Sequence, residues 1–585
     1  MPLTPYSGTL GKKAAAHLLR RATFGPNKQD IDTFSGYTAA TAVSQLFQTV
    51  AVPLDPVSGG PNSNSGNVPA AGSAWIHAAP IVGEDDNPLQ AYIIQWWLGQ
   101  ILASGVSPAQ RLSHLTREKL TFFLHSHFTT IQQTVNSSRA LYFQNVLLRQ
   151  YAFDGGANPI LNIRDLTKKI SIDNAMLLLL DGRLNVKDNP NENYARELIE
   201  LFTMGKGLSG EIPPTSTPGD YFYFTEQDVK AAAKVLSGFD FDNTFAVIDA
   251  DTGLPRGKVK IGTSSSLPNQ HDPDVKTFSS RWGNATITPI ATVPTEASML
   301  DEIDQLINLI YAQPETAKNI CRKIYRFYVY YNITNTIDTT IIASMVSTLT
   351  ANNFKIQPVI EELLQSQHFF DSATATVDDD NFGAIIKSPL DIVAGTLNFF
   401  EYQIPDHSTQ PVLFYEKAQA LQYKMLTQGM DFMNPNDVAG YDAYFQYPLF
   451  NRNWINTNAL TQRYNFIYLT MTTDNMDADA TTIDLLAYFQ LRFPANATDP
   501  DALIREVISY LLPMYNEGTE ISTARLDWFK SQFLKLGGVV PSTQLSFWIF
   551  SWNNASTIPH SATDARGMLQ DLINATLQTP EYQMF

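Results

Sequence analysis

The residues best placed to do chemistry lie in the segment NPNENYARELIELFTMG, residues 189–205. A helix over 192–205 gathers its polar side chains into one arc. The catalytic residues predicted on that arc are Asn193, Arg196, Glu197 and Glu200. Glu197 and Glu200 are three residues apart and therefore adjacent, so they can supply a metal ligand and a general base. Arg196 and Asn193 would then orient a substrate carboxylate or a group that hydrogen-bonds to the metal ligands.

The same arc is also what an ordinary amphipathic helix presents to solvent. Glu192 and Arg196 stand at i,i+4, a spacing that forms a surface ion pair without any catalytic role. Charged residues usually lie on the solvent-exposed face of a helix. The segment therefore allows both interpretations, an active-site helix and a solvated one.

A second polar row lies on a helix predicted over 107–133. The row consists of His114, Glu118, Thr121 and His125, spaced i, i+4, i+7 and i+11. This spacing places the four side chains on one face, and we predict His125 as a metal ligand. His127 falls on nearly the opposite face, which favours a hydrogen-bonded core histidine.

Outside the helices, the segment NQHDPDV supplies His271 and Asp272, which are free of helical constraint. A His-Asp pair in a loop can ligate a metal or act as an oriented base, although Asp before Pro also initiates turns. Together with His125 and a glutamate of the 189–205 segment, the pair would form a mixed N/O site for Zn, Mn or Fe. A divalent metal is accordingly the predicted cofactor.

Arg21 stands near the amino terminus in HLLRRATFGP. An arginine in this position can bind an anion, and we predict that role for it. The alternative is a packing element, because an aromatic residue followed by Gly-Pro is ordinary helix-termination chemistry.

The elements that must position these residues are mostly helices. Helical periodicity predicts helices over 88–104, 107–133, 136–152 and 192–205, with Thr225 and Asp228 as a capping pair before another. Residues 240–293 lose this period, and short β-rich pieces predict a small irregular or β insertion there. We therefore expect a mainly α protein of one large multi-helical architecture. Its predicted parts are a helical half over 1–239, the insertion over 240–293 and a second helical half over 294–585.

Composition excludes several classes of partner. The chain has 585 residues and a net charge of −17, which argues against nucleic acid. A single cysteine, Cys321, excludes an internal disulfide framework and Cys-rich metal sites. No stretch reaches the length of a membrane span, and MPLTPYSGTLGKK lacks the apolar core of a signal peptide. The sequence thus shows no export signal, and the compartment stays open.

Several motifs resemble the bacterial domain-of-unknown-function family 1800. They occur in order along nearly the whole chain: AAHLLRRATFGP, REKLTFFLHSHFTT, NPNENYARELIELFTMG, FTEQDVKAAAKVLSGF, the HD of NQHDPDVKTF, QPETAKNICRKIYRFYV, MNPNDVAGYDAYFQYPLFNRNWINTNALTQR and LQTPEYQMF. The resemblance implies a predominantly helical bacterial protein. It also implies that many members are exported and act beside a protein partner from a second uncharacterised family.

Two function classes follow from these residues. The first is a metal-assisted, hydrolytic enzyme with Glu197 or Glu200 as its base. The second is a non-catalytic binding or assembly protein that acts with a surface or secreted partner. The enzyme requires the polar side chains to converge in a cleft, whereas the assembly protein requires dispersed polar residues and an exposed apolar patch.

Overall fold

The structure, a computed structural model, describes residues 3–61, 66–261, 269–371, 385–472, 482–512, 521–535 and 541–585. It is 56% helical, which confirms the mainly α prediction. The helices before the 189–205 segment are α1 (Gly11–Ala22), α2 (Lys28–Ser35), α3 (Ala39–Leu46), α4 (Asp86–Ile101), α5 (Arg111–His127), α6 (Gln132–Val135), α7 (Ser138–Ala152), α8 (Ile163–Ser171) and α9 (Asn174–Leu179), followed by a 3-10 turn, Gly182–Leu184.

Helix α5 is shorter than the 107–133 helix predicted from periodicity. It ends at His127, because Phe128 leaves helical geometry with φ −106° and ψ 66°. Two β-branched threonines follow, and such residues are poor helix formers. The predictions for α4 and α7 differ from the structure by a few residues at their ends.

The 189–205 segment forms a helix that changes type midway. It begins as α10 (Glu192–Glu197) and continues as a π turn over Leu198–Phe202. The predicted α-helix to residue 205 is therefore correct in its first half only. After it, α11 (Glu226–Val235) begins at the predicted capping pair, where the Asp228 carboxylate accepts hydrogen bonds from the Thr225 N–H at 2.8 Å and hydroxyl at 3.0 Å.

The β-strands among the described residues lie in the predicted insertion, and the first of them begins one residue before it. Strands β1 (Phe239–Asp240) and β2 (Lys258–Val259) pair antiparallel, as do β3 (Lys276–Thr277) and β4 (Thr286–Ile287). A 3-10 turn, Ser280–Trp282, joins the second pair. These short pairs agree with the small β insertion predicted for 240–293.

Helices resume after the insertion and continue to the end of the chain. They are α12 (Glu296–Tyr311), α13 (Pro314–Tyr328), α14 (Asn335–Ile337), α15 (Ala343–Ala351), α16 (Ile356–Leu364), α17 (Pro389–Phe399), α18 (Pro411–Thr427), α19 (Asp442–Phe445), α20 (Thr457–Met471), α21 (Leu485–Arg492), α22 (Pro500–Leu511), α23 (Thr523–Phe533), α24 (Pro541–Asn554) and α25 (Pro559–Leu577), with a second π turn at Asp338–Ile342 and 3-10 turns at Phe450–Trp454 and Pro580–Gln583. In the described ranges, no helix has both the length and the apolarity to cross a membrane.

One continuous apolar core joins helices from the beginning and the end of the chain. It contains buried residues from Leu3 near the start to Tyr582 near the end. Helix α5 runs through its middle, packed on α4 and α7, and almost every side chain of α5 is buried. Polar residues on α5 must therefore find partners inside the protein.

Candidate functional site

The π turn of the 189–205 segment is held by side chains from other helices. A π turn and a helix end both leave carbonyls without their usual helical donors. Here the carbonyls of Leu201, Phe202 and Thr203 accept hydrogen bonds from Lys323 at 2.6 Å, His127 at 2.8 Å and Asn319 at 2.7 Å respectively. The donors come from α5 and α13, so these two helices fix the end of the segment.

Of the predicted catalytic residues, Glu197 and Glu200 lie together on the half-buried side of this segment. Burial, and then the charges of Glu200 and Asp437, raise the pKa of Glu197 to about 7. Glu200 forms an ion pair with Lys206. The two carboxylates thus occupy unequal environments, one with a raised pKa and the other in an ion pair.

Arg196 and Asn193 do not share that environment. The Arg196 guanidinium makes a bidentate pair with Glu226 of α11, with both distances 2.8 Å, and contacts the Tyr221 hydroxyl at 3.0 Å. Asn193 is exposed. Arg196 therefore links α10 to α11, and both terminal nitrogens of its guanidinium already donate to the Glu226 carboxylate.

The polar row on α5 exists as predicted, but its face turns toward neighbouring helices. Glu118 accepts two 2.8 Å hydrogen bonds from Arg149 of α7 and one of 3.1 Å from Trp97 of α4. His125 packs edge-on against Trp97 with ring centroids 5.1 Å apart, and burial lowers its pKa to about 4. This face belongs to the core of the protein.

His271 and Asp272 lie in a separate buried network. His271 Nδ1 is 2.8 Å from the Ser237 carbonyl and Nε2 is 3.0 Å from Glu302 Oε1, so both ring nitrogens face acceptors. The second Glu302 oxygen accepts from Lys276 at 2.5 Å. Asp272 lies 3.4 Å from the Lys234 ammonium. The ring nitrogens of His271 are thus engaged in hydrogen bonds within the fold.

The predicted metal ligands are consequently not brought together. His125 lies among aromatic rings of the core, whereas His271 and Asp272 belong to the Glu302 network. Across the residues that the structure describes, no three His, Cys, Asp or Glu side chains form a group able to hold a metal ion. The mixed His, Asp and Glu site expected from the sequence does not assemble.

Arg21 is fully buried beside the carboxyl-terminal segment. Its guanidinium carbon lies 5.2 Å from the centroid of the Phe585 ring. Phe585 also lines a cleft described next, whereas Arg21 is not part of that lining. Arg21 therefore supports the wall of the cleft from behind.

The cleft lies between α5, α13, the start of α17 and the segment around α19. Its cationic or basic lining residues are Lys119, His127, Lys323 and Arg326, and its acidic residue is Asp391. Its aromatic lining residues are Phe123, Phe327, Tyr331, Tyr444, Phe445, Phe450, Trp454 and Phe585. Lys323 and His127 are the same side chains that hold the π turn, so the cleft adjoins the end of the 189–205 segment.

Both carboxylate oxygens of Asp391 already accept hydrogen bonds from other side chains or the backbone. One of its oxygens accepts a 2.6 Å hydrogen bond from Lys119. The other accepts from the Ser388 hydroxyl at 2.7 Å and N–H at 3.2 Å, as the capping box of α17. Among the lining residues that the structure describes, Lys323 and Arg326 therefore have no carboxylate partner.

Motif segments that lie far apart in the sequence meet at this cleft. Most of the lining residues come from REKLTFFLHSHFTT, QPETAKNICRKIYRFYV, MNPNDVAGYDAYFQYPLFNRNWINTNALTQR and LQTPEYQMF. The end of NPNENYARELIELFTMG contacts it through Lys323 and His127. Five of the motifs that carry the resemblance thus share one location.

The fold and this location define a mainly helical protein with a cation-lined, aromatic cleft. The chain belongs to the family described as "Protein of unknown function (DUF1800)", whose signature matches residues 17–584. This confirms the resemblance drawn from the motifs. Among curated proteins and among solved structures, none matches the chain.

Sequence reasoning missed Lys119, Lys323, Arg326 and Asp391, which give the cleft its charge. Lys323 and Arg326 did carry a signal, because their i,i+3 spacing in CRKIYRFYV places two cations side by side on a helix rich in aromatic residues. Lys119 and Asp391 carried none, since they are 272 residues apart in the chain and meet only in the fold.

Proposed function

We propose that the protein binds a small carboxylic acid, or the carboxylate of a larger ligand, in the cleft between α5, α13 and α17. The observation that carries the proposal is the excess of cations in its lining. Lys323 and Arg326 face a partly enclosed space, and the acidic side chain among its described lining residues, Asp391, is already bound to Lys119 and Ser388. Excess buried positive charge is stabilised by an anionic ligand.

The chemistry of the walls favours a carboxylate over a phosphate. Lys119 is neutralised by Asp391, which leaves about one to two positive charges, enough for a monoanion. Aromatic rings make up most of the remaining lining, so the ligand carries an apolar or planar body behind its charge. These features support binding of a small ligand, which differs from the binding or assembly with a protein partner expected from the sequence.

A second candidate is acid–base, hydrolytic chemistry at Glu197 and Glu200. It is favoured by the pKa of about 7 for Glu197 beside the ion-paired Glu200, a pairing suited to a proton donor and an acceptor. This candidate rests on the two carboxylates and not on a cluster of metal ligands. Asn193 and Arg196 would then act by shaping the segment, since Arg196 is bound to Glu226.

The test compares two probes of nearly the same shape, benzoate and benzamide, by titration calorimetry at constant ionic strength. We expect benzoate to bind and benzamide to bind at least about tenfold more weakly, because removing the charge forfeits a charge-assisted contact of ~1.5–3 kcal/mol. Arg326→Met should weaken benzoate binding. The control is Lys535→Met, which removes an exposed cation outside the cleft and should leave benzoate binding unchanged. Equal affinity for the two probes, or no effect of Arg326→Met, would overturn the proposal.

A further inference from the structure

Lys323 lines the cleft, and its side-chain nitrogen is hydrogen-bonded to one carbonyl among the described residues. Its Nζ donates a 2.6 Å hydrogen bond to the carbonyl of Leu201, and its half-buried side chain lines the cleft. Arg326, one turn later on α13, presents a second cation in the same lining. Burial, and then the charge of Arg326, lower the pKa of Lys323 to about 7. A large share of Lys323 is therefore a neutral amine with an available lone pair at neutral pH.

His127 provides a base in the same cleft. Its Nε2 lies 2.8 Å from the Phe202 carbonyl, an acceptor, so Nε2 carries the proton and Nδ1 carries the lone pair. Nδ1 is buried and has no hydrogen-bond partner among the described residues. Burial, and then the charge of Lys323, hold the pKa of His127 well below its usual value, so the ring is neutral. An unsatisfied acceptor in a core is costly unless a ligand or a proton reaches it.

We propose that Lys323 forms an imine with the carbonyl group of a small oxo acid whose carboxylate lies against Arg326, with His127 as the proton carrier. The inference rests on the proposed function, because the carboxylate is what holds the substrate. It narrows the ligand class to acids that also bear a ketone or aldehyde.

The step is balanced without an added oxidant or reductant. The neutral Lys323 nitrogen attacks the carbonyl carbon, and the C=O electron pair moves to oxygen. One nitrogen proton passes through His127 Nδ1 to that oxygen, giving a carbinolamine. A second proton transfer by the same route releases the oxygen as water and leaves a C=N bond, so amine plus carbonyl yields imine plus water.

The other lysine of the cleft is unsuited to this role. Lys119 donates at 2.6 Å to Asp391 and is nearly inaccessible, with 4% of its surface exposed. Burial lowers the pKa of Lys119 and the ion pair with Asp391 offsets only part of that effect, but the carboxylate engages its nitrogen and the burial keeps a substrate carbonyl away. The two lysines thus give a built-in comparison within one cleft.

The experiment incubates the full-length protein with pyruvate and sodium cyanoborohydride and maps the modified lysines by peptide mass spectrometry. We expect one reduced pyruvyl group on Lys323, at least about tenfold ahead of Lys119 and of exposed Lys206 or Lys535. Benzoate should protect Lys323, and Lys323→Arg should abolish the preferred adduct. The rate at which Lys323 is modified should rise as pH rises through about 7, because Lys323 loses its proton there. The other titratable or charged groups that line the cleft with it are Arg326, His127, Lys119 and Asp391.

The outcomes separate this inference from the proposed function. Capture at exposed lysines only, in protein that still binds benzoate, overturns imine formation and leaves carboxylate binding intact. Failure to bind benzoate overturns both. Because the adduct map is read on the wild-type protein, the result does not depend on whether Lys323→Arg folds, and His127→Gln should slow capture at Lys323 without moving it to another lysine.

Discussion

The side-chain nitrogen of Lys323 donates a 2.6 Å hydrogen bond to the carbonyl of Leu201, and this bond ties α13 to the π turn of the 189–205 segment. The carbonyls of the next two residues are also hydrogen-bonded by side chains, that of Phe202 by His127 and that of Thr203 by Asn319. The segment is therefore shaped by donors that also border the cleft. A helix that ends in this way depends on side chains more than 70 residues away for its geometry.

The carbonyl contact of Asn319 gives the first prediction. Asn319→Asp replaces the donor to Thr203 by a carboxylate that faces a carbonyl, and should lower the free energy of unfolding by about 1–3 kcal/mol. Urea denaturation measures the change. Asn352→Asp is the matched control, because Asn352 donates to the Thr348 carbonyl at the surface, where water replaces the lost bond. Equal losses in the two variants would contradict a structural role for the cap.

The buried network around Glu302 gives the second prediction. Glu302→Gln leaves Lys276 and His271 facing a neutral amide inside the core, and should cost about 3–5 kcal/mol in unfolding free energy. Glu296→Gln removes a carboxylate that is 44% exposed and paired with Arg256, and should cost less than about 1 kcal/mol. A small loss for Glu302→Gln, measured by the same denaturation curves, would show that this network is not needed for the fold.

The third prediction concerns the pH dependence set by Glu197. Its pKa is about 7 in the folded protein and 4.5 as the ordinary value, so between these pH values the folded state holds a proton that the unfolded chain has lost. Stability therefore falls as pH rises through this window, and the penalty is complete above pH 7. Glu197→Gln removes the penalty and should stabilise the protein by about 1–2 kcal/mol more at pH 8 than at pH 4.5, after allowance for partial exposure.

The control for this prediction is Glu416→Gln on the exposed face of α18, which should show no such difference. A stability gain for Glu197→Gln that is the same at both pH values would mean that the Glu197 carboxylate carries no proton in the folded protein at neutral pH. The acid–base candidate for Glu197 and Glu200 would then lose its support.

Periodicity was sufficient to predict the helices but not how they end. The pattern of apolar residues locates α4, α5 and α7, and most side chains of each helix are buried in the core. It could not show that the 189–205 segment changes to a π turn, since that change is stabilised by Lys323, His127 and Asn319 from elsewhere in the chain. Local propensity contains no information about such partners.

The polar row on α5 shows why the metal ligands predicted from the sequence do not lie together among the described residues. The spacing of His114, Glu118 and His125 correctly indicated one face of a helix, but a sequence does not reveal what that face meets. In the fold it meets Arg149, Trp97 and the Gln100 carbonyl, which satisfy or enclose it. His127, interpreted from the sequence as a hydrogen-bonded core histidine, is indeed bonded and buried, yet it also lines the cleft, and its Nδ1 has no hydrogen-bond partner among the described residues.

The most direct test of carboxylate binding in the cleft is a crystal structure of the protein grown with 4-bromobenzoate, with the bromine located by its anomalous signal. We predict a bromine peak among the aromatic rings of the cleft, with the carboxylate of the same molecule against Arg326 and Lys323. Arg326→Met crystals prepared in the same way should lose the peak. Bromine found only at other positions, or a wild-type cleft without ligand at a concentration that saturates benzoate binding, would contradict the assignment of this cleft as the carboxylate site.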